Sequence, residues 1–528
     1  MDTLAEKQAG QRSYWGTRLL LIAVAFLGLA HLAFLPPWEG FDEPAHWSSV
    51  EQIADTGTLP FYGRARLSAD IEGYLGPWPY GFSLPENGVK RQTYRTYRDA
   101  GSPDLPTSPE RRYEPGTALN WQAQHPPLFY GLMAPVYKLV AHLPWVDHLL
   151  YLRLASWLIA LCGLVVGVLA TERLLPSMGG RLASLMAAYP LLFPQFFPEM
   201  ARLGNDSLVL LFCGASWAAL LCILYGKPGV KAPILLGVFL GLGLLTKAFF
   251  LPISAGFLLF LAYYWWNNKV DFPLRHLLLA LGVTLLIGGA WYVRNAWLFG
   301  SVVGGDEFVA MERGPGFIEG LRANFSIGAL LRGFASMMAT FSWAGTWSLA
   351  RLPDLLLLGP LALLGLAVVG WLLDIRRRPV IAWAPLFIVT PMLAGLGYHV
   401  FMKIAQTGLG KGTPGWYLHV LAAPLGMIVA LGWRWPRLMS ALFSYSLIFA
   451  TGAWVMQLTL FSGCSAKLDG NPYYTFKDSS CFIDWHQLDV LTSPMVGFAS
   501  LLAGGVALGV AGIVHFRGRA ASVGSDLR

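Results

Sequence analysis

Charged side chains are scarce in this chain: Asp, Glu, Lys and Arg make up 13% of 528 residues, against about a quarter in a soluble domain. That shortage excludes the roughly three soluble domains that a chain of this length would otherwise suggest. Positive charge is in slight excess, with a formal net charge of +8. The Lys and Arg are scattered between apolar runs instead of gathered into a patch, so nucleic acid is not the partner. The residues after the first apolar run are Pro36, Pro37, Trp38 and Glu39, not the small residues of a signal-peptide cleavage site. The long segment that follows contains no Asp-x-Asp pair, and matching broken helices in two inverted halves, the mark of a transporter, are not evident.

What is present is apolar. Hydrophobic residues make up 55% of the chain, mean hydropathy is +0.51, and the apolar residues come in runs of about 20, the length needed to cross the hydrocarbon core. The pattern predicts an all-α integral membrane protein of about twelve transmembrane helices. The expected spans are Thr17–Leu35, His148–Thr171, Arg181–Pro198, Asn205–Tyr225, Ala232–Thr246, Phe250–Trp266, Leu277–Trp297, Asp354–Leu373, Val380–Met402, Gly415–Trp433, Leu438–Phe461 and Pro494–Phe516. The two on either side of Lys247 are equally readable as one long helix.

Alternate connections carry the basic residues: Lys7, Arg12 and Arg18; Arg173 and Arg181; Lys227 and Lys231; Lys269 and Arg275; Arg376, Arg377 and Arg378; Arg434 and Arg437; Arg517 and Arg519. The positive-inside rule places these in the cytoplasm together with both termini. The larger segments then fall outside, at 36–147, 299–353 and 462–493. Division at residue 300 gives an N-terminal module, 1–300, and a C-terminal module, 301–528. Of five cysteines, Cys464 and Cys481 share the third outside segment. An oxidising compartment favours a disulfide between them over two free thiols.

The first outside segment, 36–147, carries the candidate chemistry. It opens with adjacent carboxylates, Asp42 and Glu43, followed by Pro44 and His46. Pro44 suits a first helical turn and Gly57 a stop. Trp47, Val50 and Ala54 then share one face of a short amphipathic helix on the membrane surface. Asp42 has two readings, as an N-cap and as a general base at the water–lipid boundary, and a capped carboxylate can be both. The segment ends in Gln124-His125-Pro126-Pro127-Leu128-Phe129-Tyr130, which opens a second interfacial or half-inserted helix. Its Tyr and Trp residues suit sugar stacking and an interfacial aromatic belt alike.

Asp42-Glu43-Pro44-Ala45-His46, His125-Pro126-Pro127, Asn205-Asp206, Leu245-Thr246-Lys247 and Trp291-Tyr292-Val293-Arg294-Asn295 occur in this order. In that order they resemble the GT-C superfamily of membrane glycosyltransferases, which includes protein O-mannosyltransferases and lipid A aminoarabinose transferases. More narrowly, they resemble bacterial membrane proteins with an Asp-Glu-Pro-x-His first-loop signature. The resemblance covers residues 17–300. Beyond it, Gly415-Trp416-Tyr417-Leu418 stands where relatives have Arg-Tyr-Leu, and Trp416 replaces the Arg. The resemblance implies a polyprenyl-phosphate-linked sugar donor, and a glycan, lipid or protein acceptor on the outer face. It makes Asp42 the catalytic base, with Glu43 and His46 beside it. Arg294, Lys247 and Arg202 are the cations for the departing phosphate, and His125, Asn205, Asp206 and Tyr417 are further binding residues. Arg294 and Lys247 are equally readable as side chains snorkelling to headgroups, and Asn205-Asp206 as a polar cap. No cofactor is expected, although Asp42, Glu43 and His46 offer ligands of the type a divalent metal takes. The rival classes are a lipid or sugar transporter and a non-catalytic membrane scaffold.

Overall fold

The computed structural model describes residues 2–80, 92–105, 112–175, 178–227, 229–269, 272–304, 316–350, 352–465 and 481–525, with side chains between residues 14 and 514. Parts of the three segments expected outside, including 466–480, therefore lie beyond the described residues, as do the side chains of Lys7, Arg12, Arg517 and Arg519.

Among the described residues, eight helices are long and apolar enough to cross a membrane: Tyr14–Ala33, Trp145–Leu174, Asp206–Tyr225, Leu274–Phe299, Asp354–Arg377, Val380–Thr407, Pro436–Phe461 and Pro494–Val514. Of the other four expected spans, Phe250–Trp266 is one continuous helix, Phe250–Asn267, and the remaining three are short or interrupted. The run Arg181–Pro198 breaks into Gly179–Ala187, Tyr189–Leu192 and Phe196–Met200. Pro190, Pro194 and Pro198 punctuate it, and each removes a backbone donor. The run beginning at Gly415 starts as a 3-10 helix, Gly415–Leu421, and becomes α-helical only over Ala422–Leu431. On either side of Lys247 stand two separate helices, Lys231–Leu244 and Phe250–Asn267. The turn between them, closed by Lys247 N–H on Gly243 C=O and Phe250 N–H on Lys247 C=O, carries the lysine.

Close approach of helices falls where the sequence has glycine. Trp145–Leu174 crosses Asp206–Tyr225 at Gly163 and Gly214, where a Cβ on Gly214 would lie 2.1 Å from the Gly163 carbonyl oxygen. Small residues at crossings are how membrane helices gain packing without a hydrophobic driving force between them. The first helix packs on the last, with Gly504 against Ala23 and Leu27 and Gly497 against Phe34. The main apolar core draws on residues from Leu21 to Met439.

The described part of the long first connection is folded. Its helix Glu43–Thr56 ends at Gly57 in the left-handed conformation, φ 67°, and buries Trp47, Val50 and Ala54. It packs on the second expected surface helix, Leu128–Val140. An antiparallel ribbon, Arg66–Ser68 with Pro115–Leu119, adds strand to a fold expected to be all helix. The connection after Phe299 contributes Phe317–Asn324 and Ile327–Ser342. Cys464 and Cys481 are disulfide-bonded, with Cα atoms 4.8 Å apart.

Candidate functional site

The two adjacent carboxylates at the mouth of the first helix have separate surroundings. Glu43 is fully buried and takes two parallel hydrogen bonds from Arg153, Nε to Oε1 at 2.7 Å and Nη2 to Oε2 at 2.6 Å. The Leu203 N–H donates to Oε1 at 3.0 Å and the Gly40 N–H to Oε2 at 3.2 Å. A side chain at Gly40 would collide with this carboxylate, its Cβ 2.4 Å from Glu43 Cδ. Arg153 spends its other donors on the Leu35 and Pro36 carbonyls. The pair thus ties the span Trp145–Leu174 to the end of the first helix, and no acceptor capacity of Glu43 is left for a substrate.

Asp42 points elsewhere. Its backbone is left-handed, φ 61°, and its side chain makes no capping bond to the helix it precedes, so the capping reading does not hold. Oδ1 accepts from the Trp121 indole N–H at 2.8 Å, and the residue remains partly accessible. Burial pushes the Asp42 pKa above the ordinary carboxylate range. The charges of Arg202 and Lys247 and the Trp121 hydrogen bond oppose that rise, and Asp206 adds to it.

Behind Asp42 lies a buried ionic cluster. Asp206, the first residue of its span, receives Lys247 Nζ at 2.8 and 2.9 Å on its two oxygens and Arg202 Nη2 at 2.8 Å. Arg202 also holds Glu199 at 2.9 Å and the Phe41 carbonyl at 2.6 Å. Exposure is 1% for Arg202, 0% for Asp206 and 5% for Lys247, so these charges persist only because each is paired. The elements explain the convergence. The proline-broken segment ending at Met200 turns Glu199 and Arg202 inward, the next helix begins at Asp206, and the turn at Lys247 delivers its cation from a third direction. Lys247 Nζ sits over the rings of Tyr417, 4.5 Å, and Phe249, 4.6 Å.

His46 and His125 border the cluster. His46 Nδ1 pairs with the Tyr130 hydroxyl at 3.0 Å. Burial, then the charges of Arg202 and Lys247, push its pKa well down. His125 is held down to about 3, first by burial and then by Lys247. Both imidazoles are therefore neutral at ordinary pH. Asn205 is buried, and neither end of its amide has a hydrogen-bond partner among the described residues.

The structure thus gathers Asp42, His46, His125, Arg202, Asp206, Lys247 and Tyr417, and directs Glu43 away. Among the described residues Arg294 makes no contact with this group: it bonds Asn295 at 3.1 Å and lies over Trp291, 4.7 Å, Phe61, 5.7 Å, and Phe299, 6.0 Å. Among the described residues no group of three or more His, Cys, Asp or Glu is arranged to hold a metal. A surface groove of about 540 Å³ lined by Trp485, His486, Asp489, Pro494, Met495 and Phe498 shares none of the cluster residues. Sequence reasoning missed Arg153 and Glu199, both hidden in apolar runs, and it missed Trp121 as the partner of Asp42. A lone ionisable residue within such a run is the signal that was available.

No family model matches the chain, and no curated protein does. Solved structures resemble it at low identity. ArnT from Cupriavidus metallidurans bound to undecaprenyl phosphate is 14% identical, with a TM-score of 0.48, over 95% of this chain and 72% of that one. The Archaeoglobus fulgidus oligosaccharyltransferase in complex with Zn and sulfate is 15% identical, with a TM-score of 0.40, over 83% of this chain and 52% of that one. The archaeal oligosaccharyltransferase AglB from Archaeoglobus fulgidus, with an inhibitory peptide and a dolichol-phosphate, is 14% identical, with a TM-score of 0.37, over 94% of this chain and 56% of that one. This chain thus spans about half the length of the archaeal enzyme. At these identities the likeness concerns the fold.

Proposed function

We propose that this chain is a membrane glycosyltransferase that moves a sugar from a polyprenyl-phosphate donor to a hydroxyl-bearing acceptor, with inversion at the anomeric carbon. The observation that carries the reading is one partly accessible carboxylate, Asp42, standing over a buried Arg202–Asp206–Lys247 cluster. Asp42 Oδ2 takes the acceptor proton as the acceptor oxygen bonds to the anomeric carbon. The bond from that carbon to the phosphate oxygen breaks, and the polyprenyl phosphate leaves with the electron pair. Burial raises the Asp42 pKa, which makes it a better proton acceptor than a solvated carboxylate. Lys247 and Arg202 stabilise the departing phosphate, held in position by Asp206 at no reorganisation cost. The reading is metal-independent, with Lys247 and Arg202 as the cations it invokes. The basic connections support an extracytoplasmic site in a bacterial plasma membrane, with both termini in the cytoplasm.

Release of undecaprenyl phosphate from undecaprenyl-phosphate-linked sugars by the detergent-solubilised chain tests this. Asp42→Asn keeps the shape, tolerates the left-handed backbone and removes the base, so release should fall about 100- to 10,000-fold. Near-wild-type release by Asp42→Asn, or lipid or sugar flux in vesicles without any transfer, contradicts the reading.

A further inference from the structure

A strip of aromatic rings runs along the accessible side of the ionic cluster. Trp347 lies 5.9 Å from Phe41 between ring centroids. Phe41 stacks on Trp416 at 4.4 Å with an interplanar angle of 11°. Trp416 meets Tyr417 edge-on at 6.1 Å, and Tyr417 meets Phe249 at 5.1 Å. Phe41 precedes Asp42 in the chain, and the other end of the strip lies under Lys247. Trp347, Trp416, Tyr417 and Phe249 are partly accessible, whereas Glu199, Arg202, Asp206 and Lys247 are buried. The ions are thus the floor of the site and the rings are its wall.

We infer that Trp416, backed by the buried Phe41 ring and extended by Trp347, is the platform on which the pyranose ring of the donor stacks. This rests on the glycosyl-transfer reading. If the donor phosphate sits at the Lys247 end and the transferred carbon lies within reach of Asp42, the sugar occupies the stretch between them, which is the Phe41–Trp416 stretch. The chemistry of that stretch suits a sugar. One face of a pyranose presents C–H bonds of partial positive charge to the negative face of an aromatic ring, while its anomeric carbon remains open to the acceptor oxygen that Asp42 deprotonates. The isoprenoid chain leaves from the far side of the phosphate and does not need the strip. Trp416 is therefore a specificity-determining residue for ring-shaped groups on the donor.

The test measures binding of two kinds of probe to the full chain in detergent. One is undecaprenyl phosphate; the other is a panel of undecaprenyl phosphates carrying a hexose, an N-acetylhexosamine or an aminopentose. The wild type should hold at least one sugar-bearing lipid on the order of tenfold more tightly than the bare lipid. Trp416→Ala should abolish that difference while leaving bare-lipid affinity unchanged, and Trp416→Phe should restore most of it. Trp347→Ala should reduce the difference in part and provides a second variant if Trp416→Ala does not fold. The platform is overturned if Trp416→Ala keeps the difference, if it weakens the bare lipid equally, or if the wild type binds all probes alike. Binding of no probe at all overturns the glycosyl-transfer reading itself and the platform with it.

Discussion

Asp42 and Glu43 are neighbours in sequence, yet one is partly accessible and the other is enclosed by four donors. The difference dictates what substitution does. Glu43→Gln leaves the Arg153 guanidinium buried without its counter-charge, and breaking a buried pair in this way costs about 3–5 kcal/mol. The expected outcome is loss of folded protein in a detergent unfolding assay. The paired replacement Glu43→Leu with Arg153→Met should cost less than Glu43→Gln alone, because no charge is left unpaired. A Glu43→Gln variant as stable as wild type contradicts this role. Glu51, on the same helix, makes a pH prediction. It is fully buried with the Trp47 indole donating to it at 3.1 Å. Burial, then the charges of Asp70 and Asp55, raise its pKa to about 8 against the Ser68 and Trp47 hydrogen bonds. The folded chain then binds a proton that the unfolded chain releases between about pH 4.5 and 8. Stability contributed by this group is present below pH 4.5 and is lost as pH rises to about 8. Glu51→Gln should flatten the fall of apparent melting temperature across that window, and an unchanged slope contradicts it. Residue types and their order were legible in the sequence, which is why Asp42, His125, Asp206 and Lys247 could be named before any geometry. Direction was not. Whether Glu43 or Asp42 faces the cluster is set by the left-handed φ at Asp42 and by Arg153, 110 positions downstream, and no local pattern encodes either.

Helices here are specified by apolar length, and their interruptions by proline, glycine and the need to place charge. Hydropathy located the eight long helices because twenty apolar residues have few alternatives in a bilayer. It failed to mark the break at Tyr189–Met200, marked the one at Leu245–Phe249 only as one of two readings, and failed to mark the one at Gly415–Leu421, since these segments remain apolar while their backbone leaves the regular α-helix. The first two breaks carry Glu199 and Lys247 into the ionic cluster, and the third carries Trp416 and Tyr417 to the wall above it. The ribbon Arg66–Ser68 with Pro115–Leu119 was equally hidden, because its strands are short and far apart in sequence. At the element scale the sharpest test is the glycine crossing. Gly214→Leu inserts a side chain where even a Cβ lies 2.1 Å from the Gly163 carbonyl oxygen. The helices Trp145–Leu174 and Asp206–Tyr225 must then separate, which displaces both Arg153 and Asp206. Overpacking of this kind costs about 1–3 kcal/mol or more, so the variant should unfold earlier in detergent. Gly505→Leu, at a glycine with nothing within 4 Å of its Cβ position, should be neutral. Equal stability of the two variants contradicts the crossing.

For the whole molecule, separate pieces of chain meet at one place. The first long connection supplies Asp42, Trp121 and His125. The proline-broken segment supplies Glu199 and Arg202, and the span after it supplies Asp206. The turn between Lys231–Leu244 and Phe250–Asn267 supplies Lys247, and the 3-10 segment supplies Trp416 and Tyr417. The second long connection is locked on as well: Thr346 and Ser348 donate to Glu39, three residues before Asp42, and Gln195 bridges Ala344 and Gly345. Convergence of so many segments on a paired-charge cluster beneath one accessible carboxylate is the basis for reading a reaction centre. The central claim is that a lipid phosphate docks at this place. The most direct measurement is a cryo-EM map of the full chain with undecaprenyl phosphate bound. Phosphate density is expected at roughly 3 Å from Lys247 Nζ or the Arg202 guanidinium, with Asp42 across the space beside it. Phosphate density settled instead at Arg294, or at the groove beside Trp485, contradicts it.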